Sequence, residues 1–218
     1  EVGATVAAAS DMPYVFGGYR FILLDTDEVN AFSAPGAYIM ITRGLLRRCE
    51  TEDELAAVLA HEVAHIQREH AVKVIEKSRQ GDLAKVLITE GAGHATRRSD
   101  VPIGQVAGVF GDMAGDLTQK LMVNGYSRES ELEADADAVA ILRRAGYEPA
   151  ALTQVLARQR ATMGDSARAG MGKTHPLPQQ RLDKLPVPSP DAGPGPSGSL
   201  PSSARQQRFD AATAAARQ

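Results

Sequence analysis

Five consecutive residues, His61-Glu62-Val63-Ala64-His65, place two imidazoles and a carboxylate within one turn of a helix. At about 100° per residue the histidines stand roughly 40° apart on one face. Two imidazoles so placed can grip one metal ion. Glu62 stands beside that face, where a general base would act on a water next to the metal. The pattern also arises by chance, with two ordinary histidines. Here, however, it interrupts the apolar stretch Leu55–Ile66. Burying three ionisable groups there is costly unless a metal or polar partners compensate, which favours the metal reading.

A catalytic metal of this kind keeps three protein ligands and one open position, so a third ligand is needed. His70 is nearest, but in a continuous helix it lies about 140° round from His65 and faces away, so it reads as structural. Downstream, Ser127-Arg128-Glu129-Ser130-Glu131-Leu132-Glu133-Ala134-Asp135 opens a second helix. Glu131 and Asp135 are one turn apart and flank its apolar face. Such a pair allows one carboxylate to bind metal and the other to orient a ligand histidine. Acidic residues in a first turn also simply answer the helix dipole. Spacing alone leaves both options open.

The elements that must position these residues follow from the pattern. Tyr14-Val15-Phe16 and Tyr19–Leu24 read as strand around a Gly17-Gly18 turn, and Asn30–Ala34 leads to a Pro35-Gly36 turn. Ala37–Thr42 is a further strand. The short links predict a small antiparallel sheet of three strands. Arg43–Cys49 reads as a short helix. Thr51 and Glu54 form a capping box for the His61 helix, which is expected to reach His70, with a helical pattern continuing to Lys77. Asp82–Thr89 reads as helical, 91–102 as a mobile loop and 103–123 as a loosely specified helix. Ser127 caps a helix from Arg128 to Ala145 that Gly146 stops. Pro149 opens another to about Met163, and 164–173 is Gly-rich and flexible. Thr174-His175-Pro176 is extended, and Pro178–Leu185 forms a last turn or two of helix.

From Pro186 the composition turns to Pro, Gly and Ser. The domain reading is therefore a folded unit over 1–186, then a disordered linker and an Ala/Gln/Arg-rich tail over 187–218. Residues 202–218 have at most the pattern of a weak helix. The fold class is α+β, mainly helical.

The 218 residues suffice for one domain with a real core, and 43% are hydrophobic. The net charge of −3 argues against a nucleic-acid partner. The single Cys49 excludes an internal disulfide and a cysteine metal cluster, and it sits in no nucleophile motif. No run approaches the ~18–20 apolar residues that cross a bilayer, so a soluble unit is expected. The chain begins at Glu1 rather than Met, which predicts a processed chain whose signal peptide or anchor has been removed.

The combination of His-Glu-x-x-His with Ser-Arg-x-x-Glu-x-x-Ala-Asp resembles the gluzincin metallopeptidase family of HtpX and the CAAX prenyl endopeptidase. Without a membrane-crossing run, the nearer analogy is its soluble periplasmic BepA/LoiP-like branch. Asn30-Ala31-Phe32 with Pro35-Gly36, followed by Tyr38–Leu46, resembles the segment before that family's active-site helix. Thr174-His175-Pro176 with Arg181 resembles its late His-Pro motif. Ala37 departs from the pattern, which often has Gly there, and this bears on the local turn.

The resemblance spans residues 14–185 and implies a zincin-like metallopeptidase domain with one zinc ion per chain. It implies that His61, His65 and Glu131 bind the metal and that Glu62 is the general base. Asp135 would orient a ligand histidine. His175 would stabilise the oxyanion or gate the open position. Arg181 would hold an active-site carboxylate or assist with the oxyanion; as a residue of a final helix it also reads as a plain surface arginine. The implied activity is endoproteolysis of misfolded or unassembled envelope proteins in the bacterial periplasm or cell envelope, with polypeptide substrates and envelope or outer-membrane assembly partners. The alternative is a zinc-binding, chaperone-like or latent module whose fourth zinc position is blocked, for example by His175. The strand at 37–42 is expected to pair with an extended substrate.

Overall fold

The computed structural model describes residues 1–77, 125–162, 174–175, 178–185 and 202–214. The expectations for 82–123, for the 164–173 loop and for the 187–201 linker lie outside these residues. Among the described residues the order is α1 (Val2–Ala8), β1 (Arg20–Leu24), β2 (Ala31–Ala34), β3 (Tyr38–Thr42), α2 (Arg43–Arg48), α3 (Glu52–Gln67), α4 (Arg128–Ala145), α5 (Ala150–Thr162), α6 (Pro178–Leu182) and α7 (Ser202–Thr213). The chain is mainly helical, with one small sheet among the described residues.

The sheet is mixed rather than antiparallel. Its order is β1-β3-β2, with β3 parallel to β1 and antiparallel to β2. The link from Asp25 to Asn30 carries the chain past the width of one strand. The tight turn at Pro35–Ala37 then folds β3 back into the gap. That turn holds Gly36 at φ 85° and Ala37 at φ 59°, so the alanine adopts the left-handed backbone that glycine accepts more easily. Because β3 is central, both its edges are already paired, and it cannot receive a substrate strand. Tyr14–Phe16 are not strand; they are largely exposed ahead of a turn made by two left-handed glycines.

The helix starts follow the local chemistry. The Thr51 hydroxyl accepts from the Glu54 amide at 3.1 Å. The Glu54 carboxylate reaches back to the Glu50 amide at 2.7 Å, one residue before the partner a reciprocal capping box would use. The Ser127 hydroxyl accepts from the Ser130 amide. Gly146 ends α4 in the left-handed conformation, with the Tyr147 amide bonded to the Leu142 carbonyl. The longer helix expected from Thr51 instead breaks after Gln67. Glu69 takes φ 55°, and helix resumes at 70–77.

The core sits between α3 and α4, closed by α1, α5 and Ile39 of β3. The facing residues are small: Ala56, Ala60 and Ala64 on α3, and Ala134 and Ala138 on α4, all fully buried. Helix separation is set by the side chains at the contact, so alanines let these two helices approach closely. That approach brings the polar residues of one helix onto those of the other. Residues of the expected tail also join this body. α7 docks at the start of α3, with Phe209 buried against Leu46, Cys49 and the half-buried Leu55.

Candidate metal centre

α3 presents His61, Glu62 and His65, all buried. α4 presents Glu131 and Asp135 from its first two turns. The short segment Thr174–His175 crosses beneath them, held by the Thr174 hydroxyl donating to Asn30 Oδ1 at 2.9 Å and by the Tyr126 amide donating to the Thr174 carbonyl at 3.3 Å. The structure thus brings together every residue singled out in the sequence.

Four of them converge. His61 Nε2 is 3.0 Å from His65 Nε2 and 3.3 Å from His175 Nδ1. Glu131 Oε1 is 3.0 Å from His175 Nδ1 and 3.4 Å from His65 Nε2, and Glu131 Oε2 is 3.5 Å from His61 Nε2. One ligand atom from each of His61, His65, Glu131 and His175 lies within 4.8 Å of the others. Glu62 adjoins the cluster, with Oε1 3.2 Å from His175 Nε2.

A ring of supporting groups holds the cluster. Asp135 Oδ1 lies 3.0 Å from His61 Nδ1, the nitrogen pointing away from the other ligand atoms. Arg181 is buried, not on the surface. It donates from Nε and Nη2 to the two Asp135 oxygens at 2.8 and 2.6 Å, and Nη1 is 3.0 Å from Glu131 Oε2. A planar fork fits this bidentate role.

Two further residues join the site: Tyr126, which the sequence reading does not single out, and His70, which it takes as structural and facing away. Tyr126 stacks on His65 with ring centroids 4.0 Å apart and 18° between planes, and its hydroxyl donates to the Ser33 carbonyl. An aromatic just before the Ser127 cap was the available signal, because that position often packs back on the helix it precedes. His70 does not face away. The break at Glu69 returns it to His65, with Nδ1 atoms 2.8 Å apart.

The electrostatics favour a cation. Burial pulls the His65 imidazole down to about 4, so it is neutral, as a ligand must be. Burial would raise the carboxyls, but the neighbouring His175 holds Glu62 at about 2, Arg181 and its bonds hold Asp135 at about 2, and His175 with Arg181 holds Glu131 well below its usual range. Burial lowers His175, yet Glu131 and Glu62 outweigh it and push its pKa up to about 10. Three buried carboxylates therefore face one guanidinium and the His175 imidazolium, whose proton a metal dication would replace. A dication with neutral histidines would balance that charge. Glu62 Oε2 is fully buried without a partner, Glu62 Oε1 and Glu131 Oε2 meet ionic contacts to His175 and Arg181 rather than aligned hydrogen bonds, and imidazole nitrogens face one another across the centre. Such a donor set fits a metal ion.

A buried His-Glu-x-x-His helix, clamped against a carboxylate from a second helix, defines the metal centre of a zincin-type metallopeptidase. The match to the model of peptidase family M48 covers residues 1–188, and the chain belongs to that family. It is 30% identical over 176 residues to a beta-barrel assembly-enhancing protease of Yersinia pestis, covering 75% of this chain and 33% of that protein. It is 30% identical over 161 residues to the mitochondrial metalloendopeptidase OMA1 of Schizosaccharomyces pombe, covering 72% of this chain and 42% of that one. It is 27% identical over 158 residues to the metalloprotease LoiP of Escherichia coli, covering 72% and 58%. The chain spans about a third of the length of the beta-barrel assembly-enhancing proteases it matches.

Proposed function

We propose that this chain is a zinc-dependent endopeptidase. The observation that carries the reading is the buried convergence of His61, His65 and Glu131 beside the buried Glu62 carboxylate, whose Oε2 has no partner. His61, His65 and Glu131 would hold the ion. The chemistry such an ion supplies is activation of water and polarisation of the scissile carbonyl. Glu62, ionised, accepts the proton of the attacking water and delivers it to the leaving amine. Asp135 fixes His61 with its Nδ1–H outward, leaving Nε2 free for the ion. Arg181 keeps Asp135 and Glu131 charged and in place. No covalent enzyme intermediate is needed.

Relatives named as beta-barrel assembly-enhancing proteases support polypeptide substrates and a role beside beta-barrel assembly; on this reading the chain acts on envelope proteins in the bacterial periplasm or cell envelope, beside outer-membrane assembly partners. No helix among the described residues is long and apolar enough to cross a membrane.

A second reading, latency, is favoured by the placement of His175. Its Nδ1 sits among the ligand atoms and its Nε2 faces Glu62 Oε1 and the Ala31 carbonyl, both at 3.2 Å. It fills the place a water would need. His175 and Tyr126 also take the Ala31 and Ser33 carbonyls on the outer edge of β2, the sheet edge beside the site that an extended peptide would use. In this reading the enzyme works only after the 174–175 segment moves aside.

Digestion of unstructured casein tests both readings. Zinc-loaded wild type is expected to cleave it, and Glu62→Gln to lose at least about a hundredfold in rate. Equal rates would end the peptidase reading. His175→Ala is expected to cleave faster than wild type; a slower variant would make His175 a contributor to the chemistry instead of a block.

A further inference from the structure

A metal-binding histidine commonly has its second ring nitrogen held by a partner that fixes tautomer and ring plane. The two histidines of α3 are served differently. Asp135 faces His61 Nδ1 directly. His65 Nδ1 instead faces His70 Nδ1 at 2.8 Å, and His70 Nε2 faces Glu133 Oε2 at 3.1 Å. His65 and His70 are buried, whereas the Glu133 side chain is 51% exposed, so the chain of contacts runs from the centre to the surface.

Only one proton arrangement suits a metal on His65 Nε2, the nitrogen that faces His61 and Glu131. With that lone pair committed, the His65 proton lies on Nδ1. Two Nδ1 atoms at this distance share one proton, so His70 Nδ1 accepts it. Neutral His70 then carries its own proton on Nε2, where the Glu133 carboxylate accepts it. We infer that His70 and Glu133 are positioning residues for the metal ligand His65, fixing its tautomer and ring plane through a His65–His70–Glu133 relay. The inference rests on the metal reading above. The break at Glu69 makes it possible, since a continuous α3 would turn His70 away. α4 thereby contributes two carboxylates two residues apart: Glu131 at the metal face of His65, and Glu133 at the far end of the relay.

Zinc affinity, measured on the purified chain by competition with a chromophoric chelator, tests the relay. His70→Leu is expected to weaken zinc binding about 10- to 100-fold. His70→Asn, whose side-chain oxygen can accept where Nδ1 does, should recover most of the loss. Glu133→Ala, a surface change with little reason to disturb the fold, should weaken binding several-fold. Long-range 1H–15N spectra of the zinc-loaded wild type should show His65 protonated on Nδ1 and His70 on Nε2. Unchanged affinity in His70→Leu and Glu133→Ala, or the opposite tautomers, overturns the relay. A merely structural His70 would lower the melting temperature and leave the affinity alone. If His70→Leu does not fold, Glu133→Ala and the tautomers decide. Wild type that binds no zinc defeats the metal reading itself, whereas zinc-binding wild type with indifferent variants defeats only the relay.

Discussion

At the scale of single residues, the centre is a set of charges that are tolerable only together. Arg181 shows this most directly. It is buried, and it serves Asp135 and Glu131, which are themselves buried. Removing one member of a buried ionic network leaves the others uncompensated, at a cost of roughly 3–5 kcal/mol. Arg181→Met in metal-free protein is therefore expected to lower the unfolding free energy by about that amount in urea titration. Arg181→Lys should restore little, because an ammonium cannot span both Asp135 oxygens while reaching Glu131. Wild-type stability in Arg181→Met would mean the two carboxylates are protonated or solvated. Arg181 was legible in the sequence only as a choice between surface and site. Nothing local marks an arginine in a five-residue helix as buried.

Among elements, the pairing of α3 with α4 decides whether the proposed metal ligands meet. Their alanine seam permits the approach, and a polar clamp fixes the register at the end of α3. There Asp137 accepts from Gln67 at 2.6 Å and from Arg68 Nε and Nη2 at 2.6 and 2.7 Å. Burial alone would raise the Asp137 carboxyl, but the bonds from Arg68 and Gln67 outweigh it and lower its pKa. A lowered folded pKa gives stability that is fully present above the unfolded value of about 4 and is lost as pH falls through the folded value. The stability difference between wild type and Asp137→Asn should thus be largest near neutrality and shrink steadily on acidification below about pH 4. A difference that stays constant with pH would assign the effect to packing. The α4 limits were legible because Ser127 and Gly146 are strong local signals. The end of α3 was not, because Arg68 and Glu69 carry no breaker. The left-handed turn at Glu69 goes with the tertiary contacts of His70.

Across the whole molecule, the acidic first turn of α3 gathers arginines from distant parts of the chain. Glu52 binds Arg208, Asp53 binds Arg205, and Glu54 binds Arg158. Two of these arginines come from α7, in the stretch whose composition reads as a tail. Phe209 seals the contact. Phe209→Ala is expected to cost about 3 kcal/mol, as truncation of a buried aromatic does, and to lower the melting temperature. An unchanged transition would show that α7 does not dock in solution. Composition missed this because a helix of 12 residues with one buried aromatic gains its stability from a surface made elsewhere.

The sequence by itself determined the local pattern on which the proposed ligand chemistry rests. Spacing of four puts His61 and His65 on one face of any helix, adjacency puts Glu62 beside them, and caps at Thr51 and Ser127 place the helix starts. These are consequences of backbone geometry over a few residues. The tertiary structure alone decided the rest: that β3 is central and its expected use as a substrate edge is closed, that Arg181 is buried, that His70 folds back on His65, and that His175 enters the ligand cluster. Each depends on segments far apart in the chain meeting at ångström distances. That meeting is set by how alanines, strands and buried charges pack, which no local spacing encodes.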